Sequence, residues 1–134
     1  MVENRRKILI IDDNPDYLFT METFLSRNGF AVITAEDGEK GLESVRRERP
    51  DLILLDVMMK SLYSGFEVCR QLKNGPDTRD IPIIGISGMK DELGVQFDIS
   101  RDTEYFSPDI FFDKPVDKQA LLNGINNLLA QTTV

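Results

Sequence analysis

Histidine is absent from this chain of 134 residues, and cysteine occurs only once. Without histidine the chain cannot build a zinc site from Cys and His ligands, a Ser-His triad or a histidine-based acid–base pair. The single cysteine, Cys69, cannot form an internal disulfide. Because Cys69 lies within a predicted helix, we expect it to act as a small buried hydrophobic residue rather than as a nucleophile.

Long apolar runs and an excess of basic residues are also missing. No stretch approaches the ~20 apolar residues of a membrane-spanning helix, and the first residues lack the apolar core of a signal peptide. We therefore expect a cytoplasmic protein without membrane contact. The formal net charge of −7 argues against general binding to nucleic acid, which needs clustered Lys and Arg.

The pattern that is present alternates strand and helix signals. Short apolar runs predict five strands, at residues 7–12, 31–35, 51–56, 81–87 and 109–113. Helical spacing of apolar residues follows each run, and five such units imply a parallel sheet with helices on both faces. We predict an α/β fold with a doubly wound five-stranded parallel sheet, forming one domain over residues 1–134 with its core at about 6–130.

Boundary signals mark several of the helices. Asn14 is an N-cap followed by Pro15 at the first helical position, and Gly29 is the expected C′ residue of that helix. Asp37 caps a second helix that runs to about Arg49, and the last helix spans about 117–130. The stretch 90–106 has the least clear pattern, since its apolar spacing suggests a helix that a glycine and several Asp residues weaken.

Polar residues follow four of the predicted strands, at the point where each strand ends. They are Asp12-Asp13, Asp56, Ser87 and Lys114-Pro115. Ligands of an open doubly wound sheet bind beyond the carboxyl ends of its strands, and with strand order 2-1-3-4-5 the first and third strands flank that crevice. Facing carboxylates repel each other unless a cation lies between them, and Mg²⁺ is a suitable oxygen-seeking ion.

The chemistry of these residues suits phosphoryl transfer. Lys114 offers a point charge for a phosphate, and Ser87 offers a hydroxyl donor. Asp56 is then placed to attack phosphorus and to hold a phosphoryl group as a mixed anhydride. Each residue alone has a structural explanation, such as a helix cap or a turn. Their joint occurrence, each at the end of a separate strand, favours the functional interpretation.

On these residues the chain resembles the receiver domain of bacterial two-component response regulators of the chemotaxis-regulator type, over essentially its whole length. Phe111, three residues before Lys114, matches the aromatic switch position of that family. The resemblance implies a flavodoxin-like fold. It also implies that Asp56 is phosphorylated by the phosphohistidine of a partner, either a sensor histidine kinase or a histidine phosphotransfer protein.

The resemblance further implies a Mg²⁺ (or Mn²⁺) cofactor and a switch. The ion would be held by Asp13, Asp56 and the backbone carbonyl of Met58, with Asp12 assisting. Such a receiver is a signalling switch that catalyses only its own phosphorylation and dephosphorylation.

Phosphorylation would draw Ser87 and Lys114 toward the phosphoryl group and allow Phe111 to turn. The surface of the fourth helix, fifth strand and fifth helix would change as a result, for a downstream effector or a fused output domain. The alternative for Phe111 is a permanently buried core aromatic.

Two segments depart from the family pattern. The loop after Asp56 carries Lys60 where the family commonly has Pro, and the acidic stretch between Ser87 and Phe111 is several residues longer than usual. Met58 and Met89 occupy positions that flank the path of hydrolytic water in the family, which suggests slow self-dephosphorylation.

Other classes of protein remain as alternatives. An Asp-nucleophile phosphatase usually has a second acid two residues after the nucleophile, where this chain has Met58. A flavodoxin-type electron carrier would need a phosphate cradle after the first strand, where the acidic residues would repel it. A degenerate receiver would lack the intact acidic set. The chain ends shortly after its fifth predicted helix, which favours a stand-alone regulator, with an excised receiver of a larger protein as the other possibility.

Overall fold

The computed structural model describes residues 5–56, 64–87, 109–113 and 116–132. In chain order these residues form β1 (Lys7–Ile11), α1 (Pro15–Arg27), β2 (Ala31–Ala35), α2 (Gly38–Glu48), β3 (Leu52–Asp56), α3 (Ser64–Asn74), β4 (Ile83–Ser87), β5 (Ile110–Asp113) and α4 (Lys118–Thr132). Helix α4 is the predicted fifth helix. The uncertain helix predicted within 90–106 lies outside the described residues.

The strands pair in parallel as one sheet, in the order β2-β1-β3-β4-β5. Both ends of each strand lie within two residues of the predicted bounds. Differences of this size are usual at strand ends, where pairing starts and stops. The predicted class, an α/β fold built on a parallel sheet with helices, is confirmed. None of the helices in the described ranges is long and apolar enough to cross a membrane.

Two layers of side chains cover the sheet because successive residues of a strand point to opposite faces. One layer packs against α1 and α4, and its strand residues are Ile8, Ile10, Leu52, Leu54, Ile84 and Ile86. The other packs against α2 and α3, and its strand residues are Leu9, Ile11, Ala35, Ile53, Leu55 and Ile83. Strands buried on both faces are typical of parallel sheets, so the near-continuous apolar runs of β1 and β3 follow from this arrangement. Cys69 is buried in the second layer.

Helix α1 has well-defined ends. The Asn14 side chain accepts hydrogen bonds from the backbone N–H groups of Asp16 at 3.0 Å and Tyr17 at 3.2 Å, as an N-cap does. At the other end Gly29 has a φ of +93°, and the N–H of Phe30 donates to the carbonyl of Leu25 at 3.2 Å. This is a Schellman ending, which needs a residue tolerant of left-handed backbone. Both predicted caps are therefore confirmed, and the Asn14 cap marks where α1 starts after β1.

Candidate phospho-acceptor site

The register of the sheet brings the ends of β1 and β3 to the same level. Ile11, the last residue of β1, pairs with Leu55 of β3, so the next residues, Asp12 and Asp56, are neighbours at the carboxyl edge. The backbone N–H of Asp12 also donates to the carbonyl of Ala35 at 3.1 Å, which extends the pairing of β1 with β2 by one residue. This hydrogen bond ties the backbone of Asp12 to the sheet.

Strands β4 and β5 end at the same edge. Asp56 pairs with Ile86, so the backbone of Ser87 lies one residue further along, and Ser87 pairs with Asp113 of β5. Lys114 follows Asp113 directly in the sequence. The backbones of β1, β3, β4 and β5 therefore end at one edge of the sheet, as the sequence predicts.

Three carboxylates meet at this edge. One oxygen from each of Asp12, Asp13 and Asp56 lies within 4.8 Å of the other two. Asp12 and Asp56 are only 1% and 3% exposed, whereas Asp13 is half-buried. One oxygen of Asp12 accepts a hydrogen bond from the backbone N–H of Asn14 at 2.9 Å. The turn that starts α1 thus also orients the first of the three acids.

This cluster fits a hard divalent cation. Carboxylates so close, two of them almost fully buried, repel one another, and a cation between them offsets the repulsion. Oxygen atoms are the ligands that Mg²⁺ prefers, and one or two carboxylates together with water are its usual protein ligands. The donor set of Asp12, Asp13 and Asp56 therefore suits Mg²⁺ or Mn²⁺ better than metals that prefer sulfur or imidazole.

Tyr17, in the first turn of α1, lies close enough to the cluster for its charges to act on the phenol, although its place in the sequence does not mark it as a site residue. Its ring packs against the core layer under α1 and α4, and its hydroxyl oxygen is buried. Burial, followed by the negative charges of Asp12 and Asp56, raises the pKa of Tyr17 to about 12. The available signal was its spacing, because Tyr17 lies four residues before Met21 and so continues the apolar stripe of α1.

The remaining predicted site residues are described in part or not at all. The backbones of Ser87 and Phe111 lie in β4 and β5, and Phe111 pairs with Gly85. Their side chains, together with Lys114 and Met58, lie outside what the structure describes. Their predicted roles stay predictions. The altered loop after Asp56 and the long acidic stretch before β5 also lie outside the described residues.

Comparison with known proteins agrees with this geometry. Residues 8–126 match the family described as "Response regulator receiver domain", and the chain belongs to this family. Receiver domains of two-component systems are signalling switches rather than enzymes that turn over a substrate.

Three similar proteins illustrate the range of the family. Protein PilH of Pseudomonas aeruginosa is 33% identical over 92% of this chain and 98% of its own length. Response regulator PleD of Caulobacter vibrioides is 38% identical over 91% of this chain but only 26% of its own length. The solved signal receiver domain of a signal transduction histidine kinase from Syntrophus aciditrophicus has a TM-score of 0.82 at 28% identity, covering 96% of this chain and 92% of its own. Similar domains therefore occur alone and within longer proteins.

Proposed function

We propose that Asp56 is the phospho-acceptor of this receiver domain and that it takes its phosphoryl group from a phosphohistidine on a partner protein. The observation that carries the proposal is the group of three carboxylates at the carboxyl edge of the sheet, with oxygens within 4.8 Å of one another. Asp56 ends β3, the central strand, whose five residues are all buried. The phosphohistidine has to lie outside these 134 residues because they contain no histidine.

The transfer itself is a displacement at phosphorus. A carboxylate oxygen of Asp56 forms a bond to phosphorus while the bond from phosphorus to the histidine nitrogen breaks, and the electron pair leaves with the imidazole. The product is a mixed anhydride of phosphate and carboxylate. Because Asp56 is nearly inaccessible to solvent and its backbone is paired in the sheet, the nucleophile is held in position before the donor arrives.

Asp12, Asp13 and Asp56, with the backbone carbonyl of Met58, would hold Mg²⁺ or Mn²⁺. When bound, the ion supplies positive charge next to the transferring phosphoryl group. The hydrogen bond from the N–H of Asn14 to Asp12 restrains one of these carboxylates. Asp13, the most exposed of the three, is the acid with access to solvent.

Ser87, Lys114 and Phe111 are proposed to read the phosphorylated state. The support is positional, since Ser87 ends β4 one residue beyond the partner of Asp56 and Phe111 lies in the adjacent strand β5. A phosphoryl group offers acceptor oxygens to a hydroxyl and to an ammonium group. Movement of Ser87 and Lys114 toward the phosphoryl group would change the surface formed by the helix predicted within residues 90–106, by β5 and by α4.

The proposed partners follow from this chemistry. The donor is a sensor histidine kinase or a histidine phosphotransfer protein, and the receiver of the signal is an effector protein or a fused output domain. The net charge of −7 favours protein partners over direct contact with nucleic acid. The proposed location is the cytoplasm, where such phosphodonors act.

The test is phosphorylation by a small-molecule donor. Wild type is incubated with acetyl phosphate and Mg²⁺, and its intact mass is measured. We expect one added phosphate on wild type, none on Asp56→Asn, and none when EDTA replaces Mg²⁺. Asp37→Asn is the matched control, because Asp37 is an exposed carboxylate that caps α2 through a 2.8 Å bond from the N–H of Lys40. Equal labelling of wild type and Asp56→Asn would overturn the assignment.

A further inference from the structure

The hydroxyl group of Tyr17 is buried, which is unusual for a tyrosine that is partly exposed. A partly exposed tyrosine normally keeps its ring against apolar groups and its hydroxyl in water. In this chain the residue as a whole is half-buried, yet its hydroxyl oxygen has no access to solvent. The ring therefore reaches inward with its tip first, from the first turn of α1 into the core layer that α1 and α4 share.

Hydrogen bonds fix this residue relative to the acidic cluster. The N–H of Asn14 donates to Asp12 at 2.9 Å, and the N–H of Tyr17 donates to the side chain of Asn14 at 3.2 Å. Two hydrogen bonds thus connect Asp12 to the backbone of Tyr17. These hydrogen bonds restrain the acid and the backbone that carries the aromatic ring relative to each other.

The alternation of side chains along the strands places the carboxylates on the same side. Ile10 and Leu54 point toward α1 and α4, so Asp12 and Asp56, each two residues further on, lean toward the same helices. The charges of both carboxylates act on the Tyr17 phenol. Asp56 is 3% exposed although it ends a strand at the sheet edge, and Tyr17 is the first aromatic residue of α1 along the chain.

We propose that Tyr17 is a positioning residue that closes the phospho-acceptor site on its α1 side and shields a phosphoryl group on Asp56 from water. This inference rests on the proposed function of Asp56. Hydrolysis of the mixed anhydride requires a water oxygen to attack phosphorus while the bond from phosphorus to the Asp56 oxygen breaks. Inorganic phosphate and the free carboxylate result, and a proton passes to solvent. An aromatic ring over one side of the site removes part of the space from which water attacks.

The test compares decay of the phosphorylated protein among matched variants. Each protein is phosphorylated with acetyl phosphate and Mg²⁺, the donor is removed, and the phosphorylated fraction is followed by intact mass. Tyr17→Ala should decay at least about fivefold faster than wild type, because the ring that excludes water is gone. Tyr17→Phe should stay within about twofold, since the ring remains.

Phe24→Ala is the control for a loss of packing alone. Phe24 lies on the same helix and packs against the same core layer, about two turns away from the site. Its variant should decay within about twofold of wild type. Tyr17→Leu serves if Tyr17→Ala does not fold, and it should also accelerate decay because leucine is shorter. Wild-type decay in both Tyr17→Ala and Tyr17→Leu, or equal acceleration in Phe24→Ala, would overturn the shielding role.

A spectroscopic measurement tests the placement of Tyr17 without phosphorylation. The chain has three tyrosines and no tryptophan, so tyrosine emission can be followed during titration with Mg²⁺. We expect a change in wild type and in Tyr63→Phe/Tyr105→Phe, which keeps only Tyr17, and no change in Tyr17→Phe. A Tyr63→Phe/Tyr105→Phe variant whose emission does not change with Mg²⁺ would contradict the placement.

The phosphorylation assays separate the two proposals. Wild type that takes no phosphate overturns both the proposed function and the shielding role. Labelled protein with unchanged decay in the Tyr17 variants overturns only the shielding role.

Discussion

Replacing Asp56 by asparagine should stabilise the cation-free protein. The side chains have nearly the same shape, but the variant loses one of three charges whose oxygens lie within 4.8 Å of one another. At that separation two like charges repel by about 3.5 kcal/mol with an effective dielectric constant of ~20, so Asp56 contributes about 7 kcal/mol of repulsion from its two neighbours. Solvent near the half-buried Asp13 and relaxation of the side chains reduce this figure, and we expect a gain of about 2–4 kcal/mol in unfolding free energy.

Urea unfolding in EDTA measures this gain, and the same series in Mg²⁺ measures how much the cation reverses it. Wild type should gain stability from Mg²⁺ because the ion binds the folded state, whereas Asp56→Asn should gain less because one anionic ligand is gone. Asp37→Asn, which keeps its capping role, should match wild type in both buffers. Equal stability of wild type and Asp56→Asn in EDTA would refute the reasoning, since it would mean that the clustered charges do not repel in the folded protein.

Four further predictions concern the surroundings of the site. Between pH 10 and pH 12, wild type should lose about 1–2 kcal/mol more unfolding free energy than Tyr17→Phe, because the raised pKa of Tyr17 lets the folded state keep a proton that the unfolded chain releases. Urea titrations across that pH range check this, and parallel losses would contradict it. Asn14→Ala should lower the unfolding free energy by about 1 kcal/mol because it removes the cap of α1, whereas Asn14→Ser should stay close to wild type. Thermal unfolding of both variants measures the difference. Gly29→Ala should cost about 1 kcal/mol through its positive φ although no atom lies within 4 Å of the added methyl group, and Gly29→Asn should cost less. Combining Met58→Asn with Met89→Glu should shorten the lifetime of the phosphorylated protein in the decay assay, and an unchanged lifetime would remove the basis for slow self-dephosphorylation.

The sheet and the acidic cluster were predictable because both depend on local signals that topology then combines. An apolar run of five residues predicts a strand buried on both faces, and βα alternation leaves a parallel sheet as the simple solution. Once the sheet is parallel, residues that follow strands must meet at one edge. Asp12 and Asp56 therefore become neighbours through register alone.

Tyr17 was not predictable in the same way. An aromatic residue on the apolar stripe of a helix is usually part of the core, and sequence spacing does not reveal which way its polar tip points. The burial of the hydroxyl depends on the start of α1, which the Asn14 cap fixes relative to Asp12. That relation is a property of the folded turn rather than of the sequence pattern. The proposed output surface was even less predictable, since the acidic stretch between Ser87 and Phe111 is longer than the family pattern.

The strands that carry Asp12 and Asp56 are each packed between two layers of side chains, and no residue from Ile8 to Ile11 or from Leu52 to Leu55 is more than 1% exposed. The backbone positions of Asp12 and Asp56 are consequently set by strands that the core holds on both faces, and the Asn14 N–H then orients the Asp12 side chain. The strands that carry the two acids can therefore keep their positions when the sequence elsewhere on the surface changes. Residues outside the strands can thus vary among related domains while Asp12 and Asp56 stay side by side at the sheet edge.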